Sequence, residues 1–132
     1  MTRIIAGEAR GRTIKVPAEG TRPTADRARE GLFSSLTARW GFAGSSVLDL
    51  FAGSGALGLE AASRGADEAV LVESSADAVK IIRHNMGVVK HPGVRVQEMK
   101  VGTYLASAPR KHFDLVLADP PYAFDEVDEL IA

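Results

Sequence analysis

The sequence contains no cysteine, which excludes a disulfide scaffold and a thiolate nucleophile. It also lacks an apolar segment long enough to cross a bilayer, and its N-terminal residues lack the apolar core of a signal peptide. Its histidines, His84, His91 and His112, show no metal-ligand spacing. No internal repeat or low-complexity tract is present. These absences predict a cytoplasmic protein that contacts no membrane and binds no metal.

Charge is distributed unevenly along a chain of otherwise ordinary composition. Of the 132 residues, 45% are hydrophobic and 25% are charged, as in a single soluble globular domain. Residues 1–40 have a net charge of +4, whereas residues 41–132 have a net charge of −5. We therefore expect two parts: a basic N-terminal hairpin and helix at 1–40, suited to phosphate contact, and an acidic body at 41–132.

The hydrophobic periodicity predicts an α/β fold. Short β-prone runs at 3–6 and 12–16 predict a hairpin, and Thr24 is a candidate N-cap for a helix whose apolar stripe includes Ala28, Leu32 and Leu36. Apolar runs then alternate with helical spacing. The predicted strands lie at 47–50, 69–73, 94–97 and 114–118, and the predicted helices at 56–64, 74–87 and 103–108. Strands this apolar favour a mostly parallel, Rossmann-like sheet covered on both faces. Because such a sheet would end just after its fourth strand, we also expect C-terminal sequence to be missing.

A glycine-rich turn follows the first strand of this predicted sheet. Gly53, Gly55 and Gly58 match the pattern G-x-G-x-x-G, and Glu73 lies about twenty residues further on, where an acid can accept hydrogen bonds from ribose hydroxyls. The pattern fits a nicotinamide dinucleotide and any other adenosine-containing ligand. Asp49, just ahead of the turn, favours S-adenosylmethionine, because its carboxylate attracts an ammonium group and repels a pyrophosphate.

The last predicted strand runs into Asp119-Pro120-Pro121-Tyr122. Two successive prolines fix an extended backbone and remove two amide donors, so the segment presents only hydrogen-bond acceptors. An exocyclic base amine that donates to the Asp119 carboxylate and the Pro120 carbonyl gains a directed lone pair and becomes a nucleophile. Tyr122 can stack on the base. If the first and last strands of the predicted sheet are neighbours, the two segments meet at one cleft.

At these residues the chain resembles the class I methyltransferases, and over nearly its whole length it resembles the RsmD-type enzymes, which methylate a guanine amine in 16S ribosomal RNA. The arm motifs carry the specificity of this resemblance: Arg3-Ile4-Ile5-Ala6-Gly7, Arg10-Gly11-Arg12, and Arg22-Pro23-Thr24 with Asp26-Arg27 and Glu30. It implies S-adenosylmethionine as cofactor and small-subunit RNA or its particle as partner. Members of this family continue past the point where the present sequence ends.

The resemblance also assigns roles to residues. It implies that Asp49, Gly53 and Gly55 hold the methionine part of the cofactor, that Glu73 holds the ribose, and that the segment Asp119, Pro120, Pro121 and Tyr122 holds the guanine. The turn residues Phe51, Ala52 and Ser54 complete the predicted cofactor site. Where the family commonly has an acid or amide beside adenine, this chain has Lys100-Val101, so the Val101 amide is the predicted adenine contact.

Other interpretations remain open from sequence. The predicted nucleic-acid-binding residues are Arg10, Arg12, Arg22, Thr24 and Arg27. The arginines of the arm, namely Arg10, Arg12, Arg22, Arg27 and Arg29, are equally compatible with a solvated surface, although the net charge of the arm favours phosphate contact. We expect Trp40, Phe42 and Phe51 to be core residues rather than base-stacking groups. Alternative functions are methylation of adenine in DNA or RNA, methylation of a protein glutamine, a nicotinamide-dependent oxidoreductase and a non-catalytic RNA-binding fragment. We expect a monomer.

Overall fold

The computed structural model describes residues 2–16, 23–107 and 113–118. In this part of the chain ten elements follow one another: β1 (Thr2–Arg3), β2 (Thr13–Ile14), α1 (Pro23–Arg39), β3 (Ser46–Leu50), α2 (Ala56–Ser63), β4 (Glu68–Glu73), α3 (Ala76–Val89), β5 (Val94–Glu98), α4 (Val101–Ser107) and β6 (Leu115–Ala118). The helices and strands of the predicted sheet therefore lie where the periodicity placed them, with shifts of one or two residues at most ends.

The sheet has four strands in the order β5-β4-β3-β6, and every pairing in it is parallel. The chain first moves outward from β3 through β4 to β5 and then crosses back to place β6 on the other side of β3. Strand order therefore reverses at β3, which is where open α/β sheets bind ligands beyond their carboxyl ends. This topology confirms the predicted Rossmann-like class.

Three hydrophobic clusters hold the sheet between its helices. The cluster on the α2 and α3 side includes Leu59, Leu71 and Ile82, each with no exposed surface. The cluster around α1 includes Phe33 and Phe42, whose ring centroids lie 5.5 Å apart. The third lies on the α4 side. Full burial of one such aliphatic side chain stabilises the fold by roughly 1.5–3 kcal/mol.

The N-terminal hairpin packs onto this body. β1 and β2 pair antiparallel over two residues each, so the predicted hairpin is present with shorter strands. Ile4 and Ile14 belong to the same hydrophobic cluster as Leu59 and Ile82. Gly7, with a φ of 89°, passes so close to α2 that a Cβ there would lie 1.8 Å from the Ser63 carbonyl oxygen. Glycine is therefore required where the hairpin meets α2.

Helix α1 differs from its predicted form. It begins at Pro23, one residue before the predicted cap Thr24, and proline suits a first helical position because its missing N–H has no intrahelical partner there. The predicted apolar stripe is wrong at two positions, since Ala28 is exposed and Leu32 is 44% exposed. The buried face instead contains Arg29 and Phe33, because the Arg29 guanidinium donates to the Arg3 carbonyl at 2.7 Å.

Helices α3 and α4 also depart from their predicted ends. Ser75, not Ser74, caps α3, and its side chain accepts the Ala78 amide at 3.3 Å. The helix continues past Gly87 and ends at Val89, followed by the C-cap Lys90, which has a φ of 57°. Helix α4 begins at Val101, two residues before the predicted start. None of these shifts moves the carboxyl ends of the strands.

Candidate functional site at the carboxyl ends of the strands

The turn between β3 and α2 has a backbone that few sequences can adopt. Phe51, Gly53 and Gly55 have φ values of 59°, 59° and 83°. A positive φ at an aromatic residue is uncommon and costs on the order of 1–3 kcal/mol, and such strain concentrates at ligand-binding segments. At Gly55 a Cβ would lie 2.9 Å from the Leu71 side chain, so the turn is also packed tightly against β4.

Gly53 offers room for a ligand on the outer side of this turn. A Cβ placed there would meet no heavy atom of the described residues within 4 Å. The Ala52 amide donates to the Val72 carbonyl at 3.0 Å, which anchors the start of the turn to β4. The turn is therefore anchored to β4 at Ala52, while no described residue fills the space beside Gly53. A loop that binds a ligand through its backbone needs this arrangement.

Glu73, at the end of β4, lies beside the turn as predicted. One carboxylate oxygen accepts the Gly53 amide at 2.9 Å and the other accepts the Ser75 amide at 2.8 Å. Glu73 therefore ties the glycine turn to the start of α3. A carboxylate has about four lone-pair positions on its two oxygens, so both oxygens retain capacity for ribose hydroxyls.

Asp49 lies inside the protein below the turn. Its side chain has no exposed surface, and Oδ2 accepts the Gly58 amide in the first turn of α2 at 3.0 Å. A carboxylate at this position satisfies an amide that lacks an intrahelical partner and interacts favourably with the helix dipole. Contact between Asp49 and a ligand ammonium stays a prediction.

Val101 is the first residue of α4 and lies at the carboxyl end of β5, on the side of the sheet predicted for adenine. Its side chain is buried in the hydrophobic cluster that also contains Leu48, Val70 and Val72. The side chain is thus part of the core, and only the backbone of Val101 remains a candidate contact for a ligand.

The segment 119–122 lies outside the described residues, but the strand that leads into it does not. β6 pairs with β3 in parallel, and Ala118 is the register partner of Leu50. The residue before Asp119 therefore lies directly beside the residue before the glycine turn. The neighbouring of these two strands, on which the predicted cleft depends, is confirmed.

The predicted nucleic-acid-binding residues differ in their surroundings. Arg10, Arg12 and Arg27 are exposed. Arg12 also donates to the Val88 and Val89 carbonyls at 3.1 Å each, so it stabilises the C-terminal end of α3. Arg22 and the Thr24 side chain lie outside the described residues.

Two buried polar residues of the site region were not predicted from sequence. Glu60 of α2 accepts the Ile5 and Ala6 amides at 2.9 and 3.1 Å and forms an ion pair with Arg64 at 2.9 Å. Asn85 of α3 bonds to backbone groups of the hairpin and of the glycine turn. The sequence signal for them is their position: each occupies a core-facing place in a helix, as Asn85 does between Ile82 and Val89.

The described residues were found to contain neither a cluster of metal ligands nor a membrane-spanning helix. No group of three or more His, Cys, Asp or Glu side chains in them could hold a metal ion. No helix in the same residues is long and apolar enough to cross a membrane.

The chain is similar to a known protein family and to solved structures. A profile of the family described as conserved hypothetical protein 95 matches residues 2–132. Ribosomal RNA small subunit methyltransferase D of Escherichia coli K12 is 40% identical over 130 residues, which make up 98% of this chain and 64% of that protein. This chain therefore spans slightly less than two thirds of that relative's length.

Among solved structures, a hypothetical protein of Thermus thermophilus is 42% identical with a TM-score of 0.84, covering 98% of this chain and 74% of that one. A candidate methyltransferase of Escherichia coli is 39% identical with a TM-score of 0.86, covering 98% and 70% of the respective chains. These likenesses agree with the predicted methyltransferase type of Rossmann-like fold.

Proposed function

Because the chain belongs to the family described as conserved hypothetical protein 95, the RsmD family indicated by its sequence, we propose that it takes part in S-adenosylmethionine-dependent methylation of a guanine amine in 16S ribosomal RNA. The observation that carries this proposal is the register of β3 and β6, in which Leu50 and Ala118 are partners. This register puts the residue before the glycine turn beside the residue that precedes Asp119 in the sequence, and so supports a shared site.

The residues of the turn fit the cofactor. When bound, S-adenosylmethionine supplies an electrophilic methyl group on a sulfonium. Glu73 accepts the ribose hydroxyls, and the open backbone of Gly53 and Gly55, with Phe51, Ala52 and Ser54, borders the methionine part. Asp49 holds the turn to α2 and supplies negative charge for the ammonium group. The Val101 backbone, at the next strand end, borders the adenine.

The segment Asp119, Pro120, Pro121 and Tyr122 supplies the chemistry at the substrate. The Asp119 carboxylate and the Pro120 carbonyl accept the two N–H groups of the guanine amine, which concentrates its lone pair in one direction. Pro121 keeps the backbone extended, and Tyr122 stacks on the base, so the nitrogen is held in line with the methyl group. A base presented this way is flipped or unpaired.

The basic arm at 1–40 is the proposed RNA-facing part, and residues 41–132 form the proposed cofactor-binding part. Arg10, Arg12 and Arg27 are exposed. Arg12 keeps guanidinium N–H groups other than those of Nη1, which donates to the Val88 and Val89 carbonyls, so all three arginines can contact phosphates. With Arg22 and Thr24 they form the proposed RNA-binding set. Binding through phosphates predicts a strong dependence of RNA affinity on salt.

Calorimetric titration of the chain with S-adenosylhomocysteine tests the cofactor, and transfer of a labelled methyl group to small ribosomal subunits tests the substrate. We expect binding of S-adenosylhomocysteine and none of NADH. Binding of NADH alone would contradict the proposal in favour of an oxidoreductase. Label on free DNA or on a release factor, and not on ribosomal RNA, would reassign the substrate to adenine or to glutamine.

A further inference from the structure

Asn85, in the C-terminal half of α3, has a polar side chain with no exposed surface. Its Oδ1 accepts the Lys15 amide at 2.7 Å, and its Nδ2 donates to the Lys15 carbonyl at 2.8 Å and to the Ser54 carbonyl at 2.9 Å. Because a backbone amide can only donate and a carbonyl can only accept, these partners fix which end of the side chain is oxygen. All three contacts are satisfied at once.

These three hydrogen bonds join segments that are distant in the sequence. Lys15 follows β2 of the hairpin, 70 residues before Asn85, and Ser54 lies in the glycine turn, 31 residues before it. Since a buried polar group costs free energy unless it is hydrogen-bonded, losing the Asn85 side chain would leave an amide and two carbonyls without their partner.

The contact with Ser54 controls the geometry of the turn. The peptide group between Ser54 and Gly55 is planar, so fixing the Ser54 carbonyl also fixes the direction of the Gly55 N–H. That N–H donates to the Ala52 carbonyl at 2.7 Å. Asn85 thus holds the turn at Ser54, while Glu73 holds it at the preceding residue, Gly53.

We propose that Asn85 is a positioning residue that joins the N-terminal hairpin to the glycine turn and holds the turn in the arrangement that the cofactor needs. This inference rests on the proposed function, because it treats the turn as the cofactor site. Asn85 acts through Ser54 and does not touch the cofactor. The arm proposed to face RNA is then connected directly to the part proposed to bind the methyl donor.

Ser63 offers a matched control on the same hairpin. It is a buried polar side chain of α2 whose hydroxyl accepts the Ala9 amide at 3.0 Å and donates to the Ala6 carbonyl at 2.6 Å. Like Asn85 it ties the hairpin to the body with short hydrogen bonds. Both of these partners belong to the hairpin and neither to the glycine turn, so Ser63→Ala loosens the hairpin without altering the turn.

The experiment compares Asn85→Asp and Ser63→Ala with the unchanged chain. In Asn85→Asp the acceptor for the Lys15 amide is kept, but the two donor contacts are lost and a carboxylate faces two carbonyls. Hydrogen exchange without ligand should become faster in residues 52–58 and 13–16. Affinity for S-adenosylhomocysteine should fall about tenfold, because an ordering contact of the turn is lost. Ser63→Ala should speed exchange in residues 5–10 only and leave affinity within about twofold.

The inference is overturned if Asn85→Asp leaves exchange in 52–58 unchanged, or if Ser63→Ala weakens cofactor affinity as much as Asn85→Asp does. If Asn85→Asp does not fold, Asn85→Ala replaces it, since it removes the same donors without a buried charge. If the unchanged chain itself binds no S-adenosylhomocysteine, the proposed function fails, and exchange in 52–58 alone then decides whether Asn85 positions the turn.

Discussion

Single side chains at this site act mainly by fixing backbone. Glu73 accepts two amides from two different segments, Glu60 accepts two amides of the hairpin, and Asn85 bonds to three backbone groups. Hydrogen bonds that an amide N–H donates to a carboxylate are roughly twice as strong as those between neutral groups. A ligand-cradling turn built this way depends on a few buried or half-buried polar residues rather than on its glycines alone.

Glu73→Gln tests whether the carboxylate serves the ligand as well as the turn. The glutamine side chain keeps one acceptor oxygen, but its NH₂ group faces the backbone N–H of Gly53 or Ser75, and two donors cannot bond to each other. We therefore expect the free energy of cofactor binding to weaken by about 1.5–3 kcal/mol, the usual range for a hydrogen bond to a charged group. Titration with S-adenosylhomocysteine measures this loss. Glu98, the register partner of Glu73 on β5, is the control. Equal losses in Glu98→Gln would argue against a specific role for Glu73.

The elements themselves were predictable to the extent that local pattern determines them. The strands 47–50, 69–73 and 94–97 each lie within an observed strand because near-continuous apolar runs are local features. The stripe of α1 was wrong because Arg29 is buried by contact with Arg3, which no local pattern reveals. The strain at Phe51 and the hydrogen bonds of Asn85 likewise depend on tertiary neighbours. The sequence therefore predicted the candidate site from its glycines and acids, but it did not predict the contacts that fix the backbone of the turn.

Docking of the hairpin onto α2 gives a prediction at the level of elements. Gly7 and Gly11 have similar φ values, 89° and 82°, but a Cβ at Gly7 would lie 1.8 Å from the Ser63 carbonyl oxygen, whereas one at Gly11 meets nothing described within 4 Å. Gly11→Ala should therefore cost about 1–2 kcal/mol for its left-handed backbone alone. Gly7→Ala should cost clearly more, because the hairpin must move away from α2.

Denaturant unfolding of both variants measures this difference directly. Equal losses of stability in Gly7→Ala and Gly11→Ala would show that the hairpin does not need its close approach to α2.

At the level of the whole molecule, the strand order brings together the ends of two strands that are distant in the sequence. β6 returns to the side of β3 after two βα units, and Ala118 then lies beside Leu50. Neither segment alone identifies methyl transfer, since a glycine turn suits many nucleotides and a proline pair suits many turns. A shared site is supported because the carboxyl ends of β3 and β6 lie side by side. Asp119, the acid that follows Ala118, is the group to test.

Asp119→Ala removes the acceptor proposed to orient the guanine amine, so we expect methyl transfer to ribosomal RNA to fall at least about a hundredfold, the lower end for loss of one preorganised group. Affinity for S-adenosylhomocysteine should stay within about twofold, because the glycine turn is untouched. Asp114 is the matched control: it lies at the other end of the same strand, where its carboxylate accepts the Ser46 amide at 2.7 Å. Asp114→Asn should lower stability slightly and leave transfer unchanged. Near-normal turnover in Asp119→Ala would show that the amine is activated by another group, whatever the fold of the sheet.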